Sequence, residues 1–298
     1  MHDDPAGKLR CLEVWGGNQR VERLLFVPGL QISVSSRPLG SDDAGGDVYY
    51  ASNCAAGRLT RLLLADVAGH GLVVADVAAA LRDLMRKNIE TPDHGRFVAD
   101  MNRQFSESDN DGRFATALVA SFFAPTRRLT LSNAGHPQPL IYRAVTGQWS
   151  YLNPQTPTVK VTTISPSDLP LGILADVDYD EFSLRLDRGD AVLCYTDGLI
   201  EARKSDGEML GNDGLRTIVS EVAPRPAESH AASRIVASVQ ALHPDNVKHD
   251  DCTVVIYQAT GVRLHLADQF AAPFRLLFKS AIDSVRIKAP QNRPPWSA

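Results

Sequence analysis

Apolar positions along this chain recur in three rhythms. Leu30-Gln31-Ile32-Ser33-Val34 and Glu181-Phe182-Ser183-Leu184-Arg185-Leu186 alternate apolar and polar residues, which predicts half-buried strands. The continuous apolar run from Leu62 to Ala65 suits a strand covered on both faces, and Phe114 to Phe123, Ala191 to Tyr195 and Cys252 to Tyr257 are further strand-like apolar runs. Phe97, Val98, Met101 and Phe105 recur at helical spacing and read as core. A further buried helix is expected from Leu72, and others over Leu215 to Val222 and Glu228 to Leu242.

Turn signals join these segments. Ala55-Ala56-Gly57-Arg58 separates Val48–Cys54 from Leu59–Ala65, and Pro125-Thr126-Arg127 separates two further β-prone runs, so two antiparallel hairpins are expected. If the first is symmetric about its turn, Asp47 at the start of one strand faces Asp66 at the end of the other. Trp15-Gly16-Gly17-Asn18 reads as a turn, and Tyr151 to Pro170, rich in Pro, Thr and Ser, as a long loop or flap.

Composition narrows the function classes. With 298 residues, 44% hydrophobic and 22% charged, the chain can bury a sizeable core, and one main domain of roughly 200 to 250 residues with flanks is expected. A net charge of −4 without a Lys/Arg run disfavours nucleic acid or an anionic membrane as partner. Cys11, Cys54, Cys194 and Cys252 form no CxxC pair and read as reduced cysteines. No apolar stretch reaches membrane-spanning length and the N-terminus lacks a secretion-signal pattern, so a cytoplasmic location is expected. Gly-Lys-Ser/Thr and Gly-x-Ser-x-Gly patterns are absent, which argues against a P-loop nucleotidase or a serine hydrolase.

The chemistry lies where strands end. Asp66 leaves an apolar strand into Gly69-His70-Gly71, Asp197 repeats that pattern before Gly198, and Asp47 and Asp250 stand at strand starts. Alone, Asp66 could equally cap the following helix. Opposed carboxylates, however, repel one another and need a cation or a proton between them. Without Cys/His spacing, such a set favours hard cations such as Mg2+ or Mn2+. His136, in the turn Gly135-His136-Pro137, reads as a structural histidine in preference to a ligand.

Gly45-Gly46-Asp47, Asp66-Val67-Ala68-Gly69-His70-Gly71, Asn133-Ala134-Gly135-His136-Pro137, Leu171-Gly172, Tyr195-Thr196-Asp197-Gly198 with Glu201, and Asp250-Asp251-Cys252-Thr253 follow one another in this order. In order and wording they resemble the bacterial SpoIIE-type branch of the metal-dependent serine/threonine protein phosphatases, the type 2C superfamily. The resemblance implies an α+β fold, an α-β-β-α sandwich of two antiparallel sheets with a dinuclear Mn2+ or Mg2+ centre at one edge. It implies Asp66 as bridging ligand and the Val67 carbonyl as a backbone ligand, with Asp47 as a second ligand for one ion and Asp197 and Asp250 ligands for the other. Asp66 and Asp197 are then the catalytic pair, and Asp251 is a neighbour outside direct coordination. The implied activity is hydrolysis of phosphoserine or phosphothreonine by direct attack of activated water. The implied partner is a phosphorylated protein such as an anti-sigma-factor antagonist, with a second copy of the chain a candidate partner.

Two departures stand out. Tyr50 replaces the aspartate that usually closes the motif after Gly-Gly-Asp, and Ala68 stands where the eukaryotic branch has a histidine general acid. His70 lies in the same turn, with a structural role preferred over proton donation. The rival readings are a catalytically inactive binding module of the same fold and a hydrolase of small phosphate esters. The resulting division is an N-terminal extension over 1–30, a phosphatase domain over 31–258 and a C-terminal extension over 259–298.

Overall fold

The computed structural model describes residues 6–8, 14–39, 44–54, 57–69, 72–108, 112–152, 160–161, 168–226, 228, 230–246 and 250–261. In chain order the strands and helices are β1 (Ala6–Lys8), β2 (Val14–Gln19), β3 (Val21–Val27), β4 (Leu30–Arg37), β5 (Ala44–Cys54), β6 (Leu59–Val67), α1 (Leu72–Lys87) and α2 (His94–Ser106). There follow β7 (Ala115–Phe123), β8 (Arg128–Ala134), β9 (Leu140–Arg143), β10 (Gln148–Tyr151), β11 (Lys160–Val161), β12 (Phe182–Arg185), β13 (Ala191–Tyr195), α3 (Gly211–Val222), α4 (Ala231–Leu242) and β14 (Cys252–Ala259).

The strands form two sheets, ordered β1-β3-β4-β14-β13-β9-β10 and β11-β12-β8-β7-β6-β5-β2. All pairs are antiparallel except β1 with β3, a short parallel pair at one edge of the first sheet. Helices α1 and α2 cover the second sheet and α3 and α4 the first, which gives four layers.

Side-chain alternation explains how one apolar run serves two layers. Along β6, Leu62 and Leu64 pack between the sheets, while Leu63, Ala65 and Val67 pack under α1 and α2. On the first sheet, Val192, Cys194, Val255 and Tyr257 face the inner layer, and Leu193, Tyr195, Val254 and Ile256 face α3 and α4. Both faces are buried, so the strands read as continuous hydrophobic stretches. Helix α2 begins where Asp93 accepts the Arg96 N–H at 2.8 Å, and Phe97, Val98, Met101 and Phe105 form its buried stripe.

Trp15 to Asn18 is a strand and not a turn: it lies within β2, which pairs with β5 and bulges between Gly17 and Gln19. Its glycine has a steric cause, since a Cβ on Gly16 would collide with the Tyr49 carbonyl. Strands β2 and β3 lie within the stretch set apart as 1–30 and join both sheets. Of the expected flap, 153–159 and 162–167 lie outside the described residues, and Lys160–Val161 pairs with β12.

Candidate metal centre

The symmetric-hairpin expectation fixes the first two carboxylates. In the β5–β6 ladder Asp47 is the register partner of Asp66, and pairing runs without slippage to Cys54 opposite Leu59. Alternation then sets their direction. Asp66 shares a strand face with Leu62 and Leu64, and Asp47 shares one with Tyr49 and Ala51, so both face the inner layer at one end of the sandwich. The same parity on the first sheet places Thr196 in line with Cys194, and Asp251 and Thr253 in line with Val255.

Hydrogen bonds join these groups across the two sheets. The Thr196 hydroxyl donates to Asp47 Oδ2 at 2.9 Å and accepts the Thr253 N–H at 2.9 Å. Asp251 grips the Gly-Gly-Asp strand from the opposite sheet: Oδ2 accepts from Gly46 N–H at 2.5 Å and Asp47 N–H at 3.3 Å, and Oδ1 from Leu39 N–H at 2.6 Å. Its own N–H donates to Asp250 Oδ1 at 2.8 Å. These contacts explain two motif glycines, because a Cβ on Gly45 would overlap the Asp251 carboxylate and one on Gly198 the Asp251 carbonyl. Asp251 thus spends its oxygens on backbone donors and is a clasp.

Electrostatics mark the cluster as strained without a cation. Burial, then the charges of Asp197 and Asp250, lift the Asp66 carboxyl to about 8. Burial and Asp197 lift Asp250 to about 6. Asp47, 3% exposed, is raised by burial, Asp66 and Asp251 against the pull of the Thr253 and Thr196 hydroxyls. Burial also raises Asp197, which opens a single 3-10 turn.

The donor set fits hard divalent cations in kind. It is all oxygen, it carries mutually repelling charge, and Asp47 Oδ1 is buried without a hydrogen-bond partner. Val67 ends β6 with its carbonyl oxygen 3.0 Å from where a Cβ on Gly46 would sit, beside the Asp251 clasp. Among the described residues, no three His, Cys, Asp or Glu side chains converge on one cation position. The carboxylates instead turn to nearby donors, Asp197 to backbone N–H groups and Asp250 to Asp251.

Other sequence candidates fall elsewhere. His136 Nδ1 lies 2.9 Å from the Thr116 hydroxyl, and burial holds its ring at about 3, hence neutral. Its N–H donates to Asn133 Oδ1 at 2.8 Å, closing the Asn-Ala-Gly-His turn. Tyr50 packs with Leu63 in the layer under α1 and α2, on the strand face opposite Asp47. His70 lies outside the described residues. Sequence reasoning missed Thr196 as the hydroxyl that orients Asp47; its place inside Tyr-Thr-Asp-Gly, one residue before a carboxylate, was the available signal.

Two facing sheets flanked by helix pairs, with aspartates at one end of the sandwich, define the protein phosphatase 2C class of fold. The RsbU and RsbW domains of Rv1364c from Mycobacterium tuberculosis superpose with TM-score 0.64 at 24% identity, covering 87% of this chain and 71% of that one. RsbX, solved in complex with magnesium, superposes with TM-score 0.57 at 17% identity over 80% of this chain and 100% of its own. The family model for stage II sporulation protein E (SpoIIE) matches residues 56–260, and the chain belongs to that family. Phosphoserine phosphatase RsbU of Bacillus subtilis (strain 168) is 24% identical over 202 residues, 65% of this chain and 54% of RsbU. The chain thus spans about half the length of that curated relative. No helix among the described residues is long and apolar enough to cross a membrane.

Proposed function

We propose that this chain is a metal-dependent phosphoprotein phosphatase that hydrolyses phosphoserine or phosphothreonine. The observation that carries the reading is the Asp47–Asp66 register pair, tied across the sheets to Thr196 and Asp251, the chain neighbours of Asp197 and Asp250, whose charges raise the Asp66 carboxyl. Membership of the SpoIIE family and likeness to a phosphoserine phosphatase support it.

Asp47, Asp66, the Val67 carbonyl, Asp197 and Asp250 would hold two Mn2+ or Mg2+ ions. When bound, such ions supply a water of lowered pKa and offset charge on the phosphoryl oxygens. The chain's own groups then act by position. Thr196 fixes Asp47 Oδ2 and leaves Oδ1 as the directed donor. Asp251 holds the Gly46 and Asp47 backbone, so the second sheet cannot drift from the first. Asp66 and Asp197, as catalytic carboxylates, set the orientation of whatever lies between them.

The substrate on this reading is a phosphorylated protein, and the family resemblance implies one such as an anti-sigma-factor antagonist. Phosphate release from a phosphoserine protein, followed with Mn2+ and with EDTA, tests the reading. Release that needs Mn2+ and stops with EDTA is expected, and turnover that survives chelation would remove it.

A further inference from the structure

Large exposed apolar side chains are unevenly spread over the surface. Among the described residues there are seven, and four of them, Phe114, Leu169, Ile173 and Leu174, lie on two segments joined by reciprocal hydrogen bonds between Ala115 and Leu171 at 2.9 and 2.8 Å. These segments adjoin the carboxylate edge. Ala115 pairs with Val67 in the β6–β7 ladder, and the Phe114 carbonyl accepts the Ala68 N–H at 2.9 Å. Next to Phe114, the Arg113 guanidinium donates to the Ala68 carbonyl at 3.3 Å, on the turn that follows Asp66 and Val67.

The ridge is rigidly built. Asn102 of α2, fully buried, donates from Nδ2 to the Leu174 and Ala175 carbonyls at 2.7 and 2.9 Å. Its Oδ1 accepts the Gly172 N–H at 3.0 Å and the Tyr179 hydroxyl at 3.3 Å. A buried amide whose two ends are both committed to one segment holds that segment's backbone in place before anything binds, which lowers the ordering entropy of association.

We propose, resting on the phosphatase reading, that this ridge recognises the substrate: apolar residues flanking the phosphorylated side chain dock on Phe114, Ile173 and Leu174 while Arg113 meets the phosphoryl group. Charge complementarity selects this occupant. A phosphoryl dianion nearing an edge of carboxylates is repelled, and the half-buried Arg113 guanidinium beside Ala68 brings a fixed positive charge that offsets the repulsion.

Two phosphoserine peptides, identical except for Leu or Ser on either side of the phosphoserine, provide the test. With Mn2+, kcat/KM of the native protein should favour the Leu-flanked peptide about tenfold. Replacing both Ile173→Ser and Leu174→Ser should bring the ratio close to unity, and Arg113→Met should raise KM for both peptides while keeping the ratio. A native protein without preference, or a preference that survives the double replacement, overturns the proposal. If the native protein turns over neither peptide nor p-nitrophenyl phosphate, the phosphatase reading falls by itself. Fluorescence anisotropy of the labelled peptides then decides the ridge, equal binding of the two overturning it. A native dimer that the double replacement converts to monomer, with the peptide ratio intact, would assign the ridge to self-association and overturn it as well.

Discussion

Replacing Asp66 by Asn tests the centre most directly, because the side chain keeps its size and loses its charge. Burial, Asp197 and Asp250 lift its carboxyl from 3.8 to about 8. One pKa unit corresponds to about 1.4 kcal/mol, so near neutral pH the cation-free chain carries a destabilisation at this position with a ceiling on the order of 4 kcal/mol. Asn still buries a polar amide there, and a gain of about 2 kcal/mol is expected, roughly 4 to 8 °C in Tm for a domain of this size. Cation reverses the ranking. Binding at a hundred times Kd adds about 2.7 kcal/mol to the native state, and on the proposed ligand set the variant forfeits most of it. Thermal melts of both proteins, each in EDTA and in Mn2+, give the four numbers needed. The variant should melt higher in EDTA, the native protein higher in Mn2+, and the variant should lack phosphatase activity. A variant that gains as much from Mn2+ as the native protein refutes the reasoning, as does one that melts below it in EDTA.

Protons should stand in for the cation. Asp66 at about 8 and Asp250 at about 6 both lie above their unfolded values, so the native state binds more protons and stability falls as pH rises from about 4 to about 8. Melts in EDTA should therefore decline from about pH 5 to pH 8, and Mn2+ should flatten that decline. Asp251→Ala removes the acceptor for the Leu39, Gly46 and Asp47 N–H groups and should destabilise by about 3 kcal/mol in urea titrations while weakening the Mn2+ response. Arg61, fully buried, lies over the Phe97 ring and donates to Ser121 and to the Thr91 and Pro92 carbonyls. Arg61→Met should lower stability by about 3 kcal/mol by leaving those carbonyls unpaired, with the Mn2+ shift in Tm unchanged.

Much of the fold was legible because its signals are local. Gly57 after β5 and the apolar runs on either side were enough to place Asp47 opposite Asp66, since a short symmetric turn dictates register. The helical stripe Phe97–Phe105 was equally plain. Strand β2 was hidden because Gly16 and Gly17 signal a turn in sequence, whereas here they let β5 approach closely, a fact of tertiary contact. The parallel β1–β3 pair, two strands with a third between them in the chain, left no local mark. At the site, four carboxylates could be read as strand ends, but the contacts that tie Asp47 to Thr196 and Gly46 to Asp251 could not: they follow from side-chain parity and packing on two sheets at once. Thr196 and the Asp251 clasp depend on contacts 149 and 205 residues apart in sequence, which no periodicity encodes.

Strand β14 lies between β4 and β13 in the first sheet and brings Asp250 and Asp251 at its head, yet the ribosome makes it after every other strand described. Until it emerges, β4 and β13 each present an open edge towards the other, Gly46 and Leu39 have no carboxylate to hold them, and the set of aspartates is one short. A nascent chain halted before Asp250 therefore contains most of the described strands and helices but lacks one of the proposed ligands. On the metal-centre reading, cation binding waits on synthesis of β14, and stalled or truncated chains, with two unpaired central edges, become aggregation-prone substrates for chaperones and proteases.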